Sequence, residues 1–418
     1  MAAPGNKYFI QDKLTQTAPH HESFKALWET KWKPACEMGI YPFMFGAIQD
    51  FQPVVDAIIA KGLKRPYNWD EYAQFFFPKA EELVARAETA EEEGNREKAS
   101  ELYLRGSALY RISRFPAPRS EKQRYAWTKG KEAAVKGLGL QHYPMVQVDI
   151  PHIHAANGDG SILQGFYHLP TEASSSRKVP LIIVFTGLDG YRTELVVWKN
   201  GWAKLGCALL VLEIPGTGDN PGAPSDPTSP DRVWTSMFDW IAKQDGIDQK
   251  RIVNWGFSTG GYYAIRLAHT HAEKLKGVVA LGGGAHHMFD PEWLDAADDL
   301  EYPFDLAHTL AYKFGYSDFD LFKKEARDKF SLLNAGILDK PSARLLLVNG
   351  TEDEIFPIDD YYLALLHGGP KEARFLQGRK HMGEPESFSI ILKWIFELLE
   401  IPGDIGQFLS TIPSRPKY

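Results

Sequence analysis

The stretch Ile252-Val253-Asn254-Trp255-Gly256-Phe257-Ser258-Thr259-Gly260-Gly261-Tyr262-Tyr263-Ala264 passes from an apolar run through a cluster of small residues into a helical pattern. Gly-x-Ser-x-Gly therefore falls between a strand and a helix. Small residues on both sides of Ser258 allow the sharp turn that lifts a serine hydroxyl clear of a sheet. A serine hydroxyl is a poor nucleophile until a neighbouring base takes its proton. A carboxylate and a histidine are therefore expected further along, in the order serine, acid, histidine.

The flanking sequence has the same alternation. Leu181–Phe185, Ala208–Leu212, Val278–Leu281 and Leu345–Val348 are continuous apolar runs of strand length, the pattern of a parallel sheet covered on both faces. Val233–Lys243 and Gly260–His271 carry apolar residues at helical intervals, so an open α/β architecture is expected. Upstream, Met145–Ile150 and Ile162–His168 flank Asn157-Gly158-Asp159-Gly160 and read as a hairpin. Between Leu281 and Pro341 no strand is expected. Helix-like pieces at Asp290–Asp299, Phe304–Phe314 and Ser317–Phe330, with many aromatics that look exposed, read as a helical cap inserted at about residues 285–340. A strand at Ala373–Leu376 and an amphipathic helix at Phe388–Leu399 close the pattern.

Residues 1–140 read as helical. Leu83, Val84 and Ala87 mark an apolar stripe, Gly94-Asn95 breaks it, and Ala99, Leu102, Tyr103, Leu109, Tyr110 and Ile112 restart it. The pair looks like one tetratricopeptide-type unit, but no second copy occurs at a fixed period, so a single packed helix pair is expected. The expected division is a helical domain over 1–140 that forms part of the cap, and an α/β domain over 141–418.

After Leu345–Val348 comes Asn349-Gly350-Thr351-Glu352-Asp353-Glu354. Asp353, three residues past the turning glycine, is the expected acid, with Glu352 and Glu354 next in line. His381, in Lys380-His381-Met382-Gly383 before the last helix, is the expected base. The tetrahedral intermediate of such chemistry needs backbone N–H groups around its oxyanion. Thr259 is one expected donor. Leu188, in the loop Thr186-Gly187-Leu188-Asp189-Gly190-Tyr191-Arg192, is the other.

The chain has 418 residues, 44% of them hydrophobic and 24% charged, which is globular composition. With 47 basic and 54 acidic side chains there is no electrostatic footprint for nucleic acid. Cys36 and Cys207 form no disulfide framework or thiolate metal motif. The histidine pairs at 152/154, 269/271 and 286/287 lack a metal-binding helix motif or a matching carboxylate cluster. Gly282-Gly283-Gly284 and Gly216-Thr217-Gly218 lack the lysine of a phosphate loop. Neither a metal nor a cofactor is expected. The first residues lack a signal-peptide apolar run and no stretch reaches membrane-spanning length, so a cytoplasmic protein without a membrane span is expected.

One resemblance is specific. The segments Thr186–Arg192, Glu213-Ile214-Pro215-Gly216-Thr217, Ser229-Pro230-Asp231-Arg232-Val233-Trp234, Gly260–Arg266, Asp290-Pro291-Glu292-Trp293-Leu294 and His381-Met382-Gly383 resemble the fungal "yellowish-green" polyketide-shortening hydrolases of dihydroxynaphthalene-melanin biosynthesis. Leu27–Lys33 and Tyr110–Pro116 match as well. The wider group includes the bacterial 2,6-dihydroxypseudooxynicotine hydrolases. The resemblance implies an α/β-hydrolase fold with a helical N-terminal domain and an inserted helical cap, and the triad Ser258, Asp353 and His381. It also implies carbon–carbon hydrolysis of an aromatic heptaketide to 1,3,6,8-tetrahydroxynaphthalene. Asp189, Tyr191 and Asp290 become candidate substrate contacts. The bacterial members use a further glutamate after the serine; Asp290 and Glu292 lie in that neighbourhood, and no fourth acid is assigned. Association with endosomal or pigment-forming vesicles is implied by the resemblance only, and a homodimer is compatible with it.

The triad residues alone do not choose the bond. A carboxylesterase, lactonase or peptidase would use the same three side chains, and a non-catalytic binding protein would use the fold as scaffold.

Overall fold

A computed structural model describes residues 6–412. Eight strands form one sheet: β1 Val146–Pro151, β2 Ile162–His168, β3 Val179–Phe185, β4 Ala208–Leu212, β5 Ile247–Phe257, β6 Gly277–Leu281, β7 Leu345–Gly350 and β8 Glu372–Leu376. Their spatial order is β1-β2-β4-β3-β5-β6-β7-β8. β2 runs antiparallel to β4, and every pairing from β4 through β8 is parallel. Every residue of β3, β4, β6 and β7 is buried, which is why these strands, apart from Asn349 near the end of β7, are written as apolar runs.

The register aligns the strand ends. Phe185 pairs with Gly256, Phe257 with Leu281, Leu281 with Val348, and Gly350 with Leu376. The loops that leave β3, β5, β6, β7 and β8 therefore emerge side by side at one end of the sheet. Strand order reverses at β3, where the chain's crossovers go to opposite sides, and such a switch point opens a crevice at the carboxyl ends of the strands.

No strand lies between β6 and β7. This insertion holds helices Pro291–Ala297, Leu306–Lys313 and Phe319–Phe330. Tyr312 is exposed, as expected, but most of the insertion's aromatics are not. Phe289, Trp293, Phe304, Phe314, Phe322 and Phe330 are all buried, and Phe314 packs with its ring centroid 5.3 Å from Phe289 and 4.5 Å from Phe330. The insertion thus has a small core of its own, tied down where Tyr262 Oη donates to the Phe330 carbonyl at 2.7 Å.

The chain divides into two compact units, and the boundary differs from the expected 1–140 and 141–418. One unit takes the segment up to Gln16, then Val148–Tyr191 and Gly201–Leu409; the other is built mainly of Thr17–Gln147 with Arg192–Asn200. The N-terminal segment goes with the sheet for electrostatic reasons. Lys7 Nζ lies 3.2 Å from Asp290 Oδ2, Tyr8 Oη donates to the same oxygen at 2.9 Å, and Lys13 Nζ donates to Glu352 at 2.7 Å.

In the helical unit the expected hairpin is present as Phe77–Glu92 and Arg96–Ser113. Asn95 ends the break by capping the second helix, its side chain accepting from the Lys98 amide. A third helix, Glu121–Gly139, begins with a complete capping box between Ser120 and Gln123. It lies close to the second, since Ser100 and Ser107 hydroxyls donate to the Gly137 and Gly130 carbonyls at 2.8 Å. No helix among the described residues is long and apolar enough to cross a membrane.

Candidate active site

Ser258 stands between the end of β5 and helix Thr259–Thr270 with φ 54° and ψ −123°. A non-glycine residue held at positive φ stores about 1–3 kcal/mol of strain. The neighbouring sequence makes the turn sterically feasible. A Cβ at Gly256 would lie 2.2 Å from the Gly260 carbonyl oxygen, and one at Gly260 would lie 2.3 Å from the Thr186 oxygen. Only glycine fits at either position, so the spacing of the motif is a packing requirement as well as a turn.

His381 comes after β8 and meets this serine. Its Nε2 is 2.9 Å from Ser258 Oγ, and its Nδ1 is 2.8 Å from Asp353 Oδ2. Asp353 is almost completely buried. Its Oδ1 accepts from the amides of Ile355 at 2.7 Å and Phe356 at 3.1 Å, and its Oδ2 also accepts from Asn349 Nδ2 at 2.7 Å. With both oxygens occupied, the carboxylate has one orientation, and it fixes which imidazole nitrogen faces the serine. Burial disfavours a charged imidazole here. The charge and hydrogen bond of Asp353, helped by the charges of Glu301 and Glu384, outweigh it and hold His381 above its ordinary 6.5.

The neighbouring acids are turned elsewhere. Glu352 pairs with Lys13, and Glu354 pairs with Lys380 at 2.8 Å and with Lys13 at 3.4 Å. Asp353 is the acid that reaches the histidine.

Thr259, as the first residue of its helix, has no intrahelical acceptor for its amide. The loop after β3 faces the same place, because a Cβ at Gly187 would lie 3.4 Å from Ser258 Cβ and 3.9 Å from its Oγ. Leu188 is the next residue, and the Gly187 amide closes the loop onto the Gly190 carbonyl at 3.1 Å. Asp189 is buried and accepts from Tyr302 Oη at 2.5 Å; Tyr191 is buried too. Asp290 is not brought to the serine and histidine. Its Oδ2 takes hydrogen bonds from Tyr8 and from His287 Nδ1, each at 2.9 Å.

Among the described residues, His286, His287 and Asp290 are one grouping with ligand atoms within 4.8 Å of one another. The protein's own cations already occupy it. Arg327 Nη2 is 2.9 Å from His286 Nε2, and Arg327 Nη1 is 2.9 Å from Asp290 Oδ1.

Sequence pattern does not single out Asn349, yet this residue joins two site loops. While Nδ2 donates to Asp353, Oδ1 accepts from the Met382 amide at 2.9 Å. A polar, fully buried residue near the end of an otherwise apolar strand is the signal that marks it.

Residues 68–368 match the family described as "Esterase FrsA-like". The esterase FrsA of Photobacterium profundum is 24% identical over 343 residues, covering 80% of this chain and 77% of that protein. The esterase FrsA of Vibrio vulnificus is 23% identical over 314 residues, covering 72% and 70%. Among solved structures, 2,6-dihydroxy-pseudo-oxynicotine hydrolase superposes with a TM-score of 0.66 at 16% identity, covering 85% of this chain and 93% of its own. AbyA5 gives 0.62 at 18% identity, covering 87% and 94%. With the strand order above, these likenesses establish an α/β-hydrolase fold. No fungal heptaketide hydrolase is among these relatives, and the family match is to bacterial esterases, so the coarser reading of a hydrolase is the one they support. The chain belongs to the FrsA-like esterase family of α/β hydrolases.

Proposed function

We propose that this chain is a serine hydrolase of carboxylic esters, with Ser258 as nucleophile, His381 as general base and acid, and Asp353 as the carboxylate that orients and stabilises the imidazole. The unbroken hydrogen-bond path from Ser258 Oγ through His381 to Asp353 carries the serine chemistry, and the match of residues 68–368 to the FrsA-like esterases favours an ester as substrate. His381 Nε2 takes the hydroxyl proton as Oγ bonds to the acyl carbon. The carbonyl electron pair moves to oxygen, where the Leu188 and Thr259 amides are the proposed donors. Collapse expels the alcohol, which takes its proton from the imidazolium. Water, deprotonated by His381, then releases the acid from the acyl-enzyme.

A second reading keeps these roles and changes the leaving group. The motif resemblance over Thr186–Arg192, Ser229–Trp234 and His381–Gly383 favours a polyketide ketone. Attack by Ser258 would break the carbon–carbon bond, leaving its electron pair delocalised in the ring enolate, and the His381 imidazolium would protonate that carbon. Carbon departs only when its charge is spread in this way, so a β-diketone-like substrate is required.

The test is a paired assay of wild type and Ser258→Ala on p-nitrophenyl acyl esters and on naphthopyrone heptaketides, with products read by mass spectrometry. Ester turnover that vanishes in the variant supports the esterase. Cleavage of the heptaketide with esters left intact transfers the assignment to carbon–carbon hydrolysis. Turnover of neither class, across a broad ester panel, supports a binding protein built on the fold.

A further inference from the structure

One turn of the inserted cap reaches two parts of the site at once. Tyr302 Oη donates to Asp189 Oδ2 at 2.5 Å across 113 positions of sequence. The preceding residue, Glu301, has Oε2 3.4 Å from the backbone nitrogen of His381. Phe304, two residues on, has φ 66°, which keeps this segment a tight turn rather than the start of helix Leu306–Lys313.

The tyrosine bond is well shielded, since Tyr302 is 6% and Asp189 4% exposed. A phenol donating to a carboxylate in such surroundings is charge-assisted and directional. Asp189 directly succeeds Leu188, and the loop that holds both is closed by the Gly187 to Gly190 backbone bond. Holding the Asp189 side chain restrains the short closed loop that carries the Leu188 N–H. Oxyanion donors work by being aimed in advance at the place where charge will develop.

We propose that Tyr302 is a positioning residue for the oxyanion hole, acting through Asp189, so that the hole is fully formed only when the 301–304 turn of the cap is seated. This rests on the assignment of Leu188 as an oxyanion donor. A substrate that leaves the turn in place is processed at full rate; one that pushes it aside loosens the hole, so the cap selects substrates in the transition state as well as by binding them.

The experiment uses the full chain and whichever substrate class the paired assay identifies. Tyr302→Phe and Asp189→Asn are compared with wild type for kcat, KM and affinity for a boronic acid that forms a tetrahedral adduct with serine. A shift in donor geometry predicts kcat lower by about 10- to 100-fold with KM within about twofold. Boronate affinity should fall in proportion, and the double variant should be no worse than the weaker single one. Wild-type kcat in Tyr302→Phe, or losses that multiply in the double variant, overturns the inference. If Tyr302→Phe does not fold, Asp189→Asn is read by the same criteria. Turnover surviving in Ser258→Ala would remove the serine mechanism itself, whereas a dead Ser258→Ala beside a fully active Tyr302→Phe removes only the role of Tyr302.

Discussion

Asn349, one residue from the end of β7, donates to Asp353, Nδ2 to Oδ2 at 2.7 Å, in a spot sealed from solvent. Its other amide atom accepts from Met382, so one side chain sets the spacing of the acid and histidine loops. Asn349→Ala should lower kcat by about 10- to 100-fold, the usual cost of losing a group that orients a site residue. KM should change much less. It should also destabilise the fold by about 1–3 kcal/mol, because buried donors and acceptors lose their partner. Steady-state kinetics and denaturant unfolding check both.

Ser258→Ala and His381→Ala should each reduce turnover by several orders of magnitude, and the double variant should be no slower than either, since members of a triad act as one unit. Ser258→Gly should behave differently toward stability. Glycine tolerates φ 54° without strain, so this inactive variant should be more stable than Ser258→Ala, by about 1 kcal/mol in denaturant unfolding.

As the proposed base, His381 must be neutral to accept the serine proton. The Asp353 charge and hydrogen bond hold it above 6.5 against burial, so kcat/KM should rise with pH through a midpoint above that value. Asp353→Asn removes the stabilising charge, which should move the midpoint to lower pH while reducing the plateau. The charges of Glu301 and Glu384 act in the same direction, and neutralising either should shift the midpoint the same way by less.

Tyr8→Phe tests the N-terminal segment. Burial raises the carboxyl pKa of Asp290, but hydrogen bonds from His287, Tyr8 and Lys7 and the charge of His287 hold it down to about 2, against 3.8 in the unfolded chain. Such a group stabilises the fold above 3.8, and the contribution is lost as pH falls toward 2. The variant should be less stable by about 1–3 kcal/mol at neutral pH, with the gap to wild type closing as the acid range is entered. Thermal unfolding over that range is the measurement.

Much of this architecture is legible in the sequence because burial on both faces writes β3, β4, β6 and β7 as plain apolar runs. The start of β5 is not, since Asp248, Gln249 and Lys250 are polar and lie at the solvent end of the strand. The order serine, acid, histidine draws attention to Ser258, Asp353 and His381, and the structure gathers them. Tyr302, Asn349 and the docking of Lys7 and Tyr8 are invisible for a different reason: their polar contacts to Asp189, Met382 and Asp290 join segments far apart in sequence, and no local periodicity records them. The cap aromatics read as exposed because a small separate core has the composition of a surface patch until its three helices are folded together.

The parallel register has a practical consequence for changing the substrate this protein accepts. Ser258 and the Thr259 amide hang from the tip of β5, Leu188 follows β3, Asp353 follows β7 and His381 follows β8, so the sheet can be left untouched while one tip is redrawn. Variation aimed at the 301–304 turn would act on selectivity from the roof downward, sparing the proton-transfer groups that every candidate substrate would share.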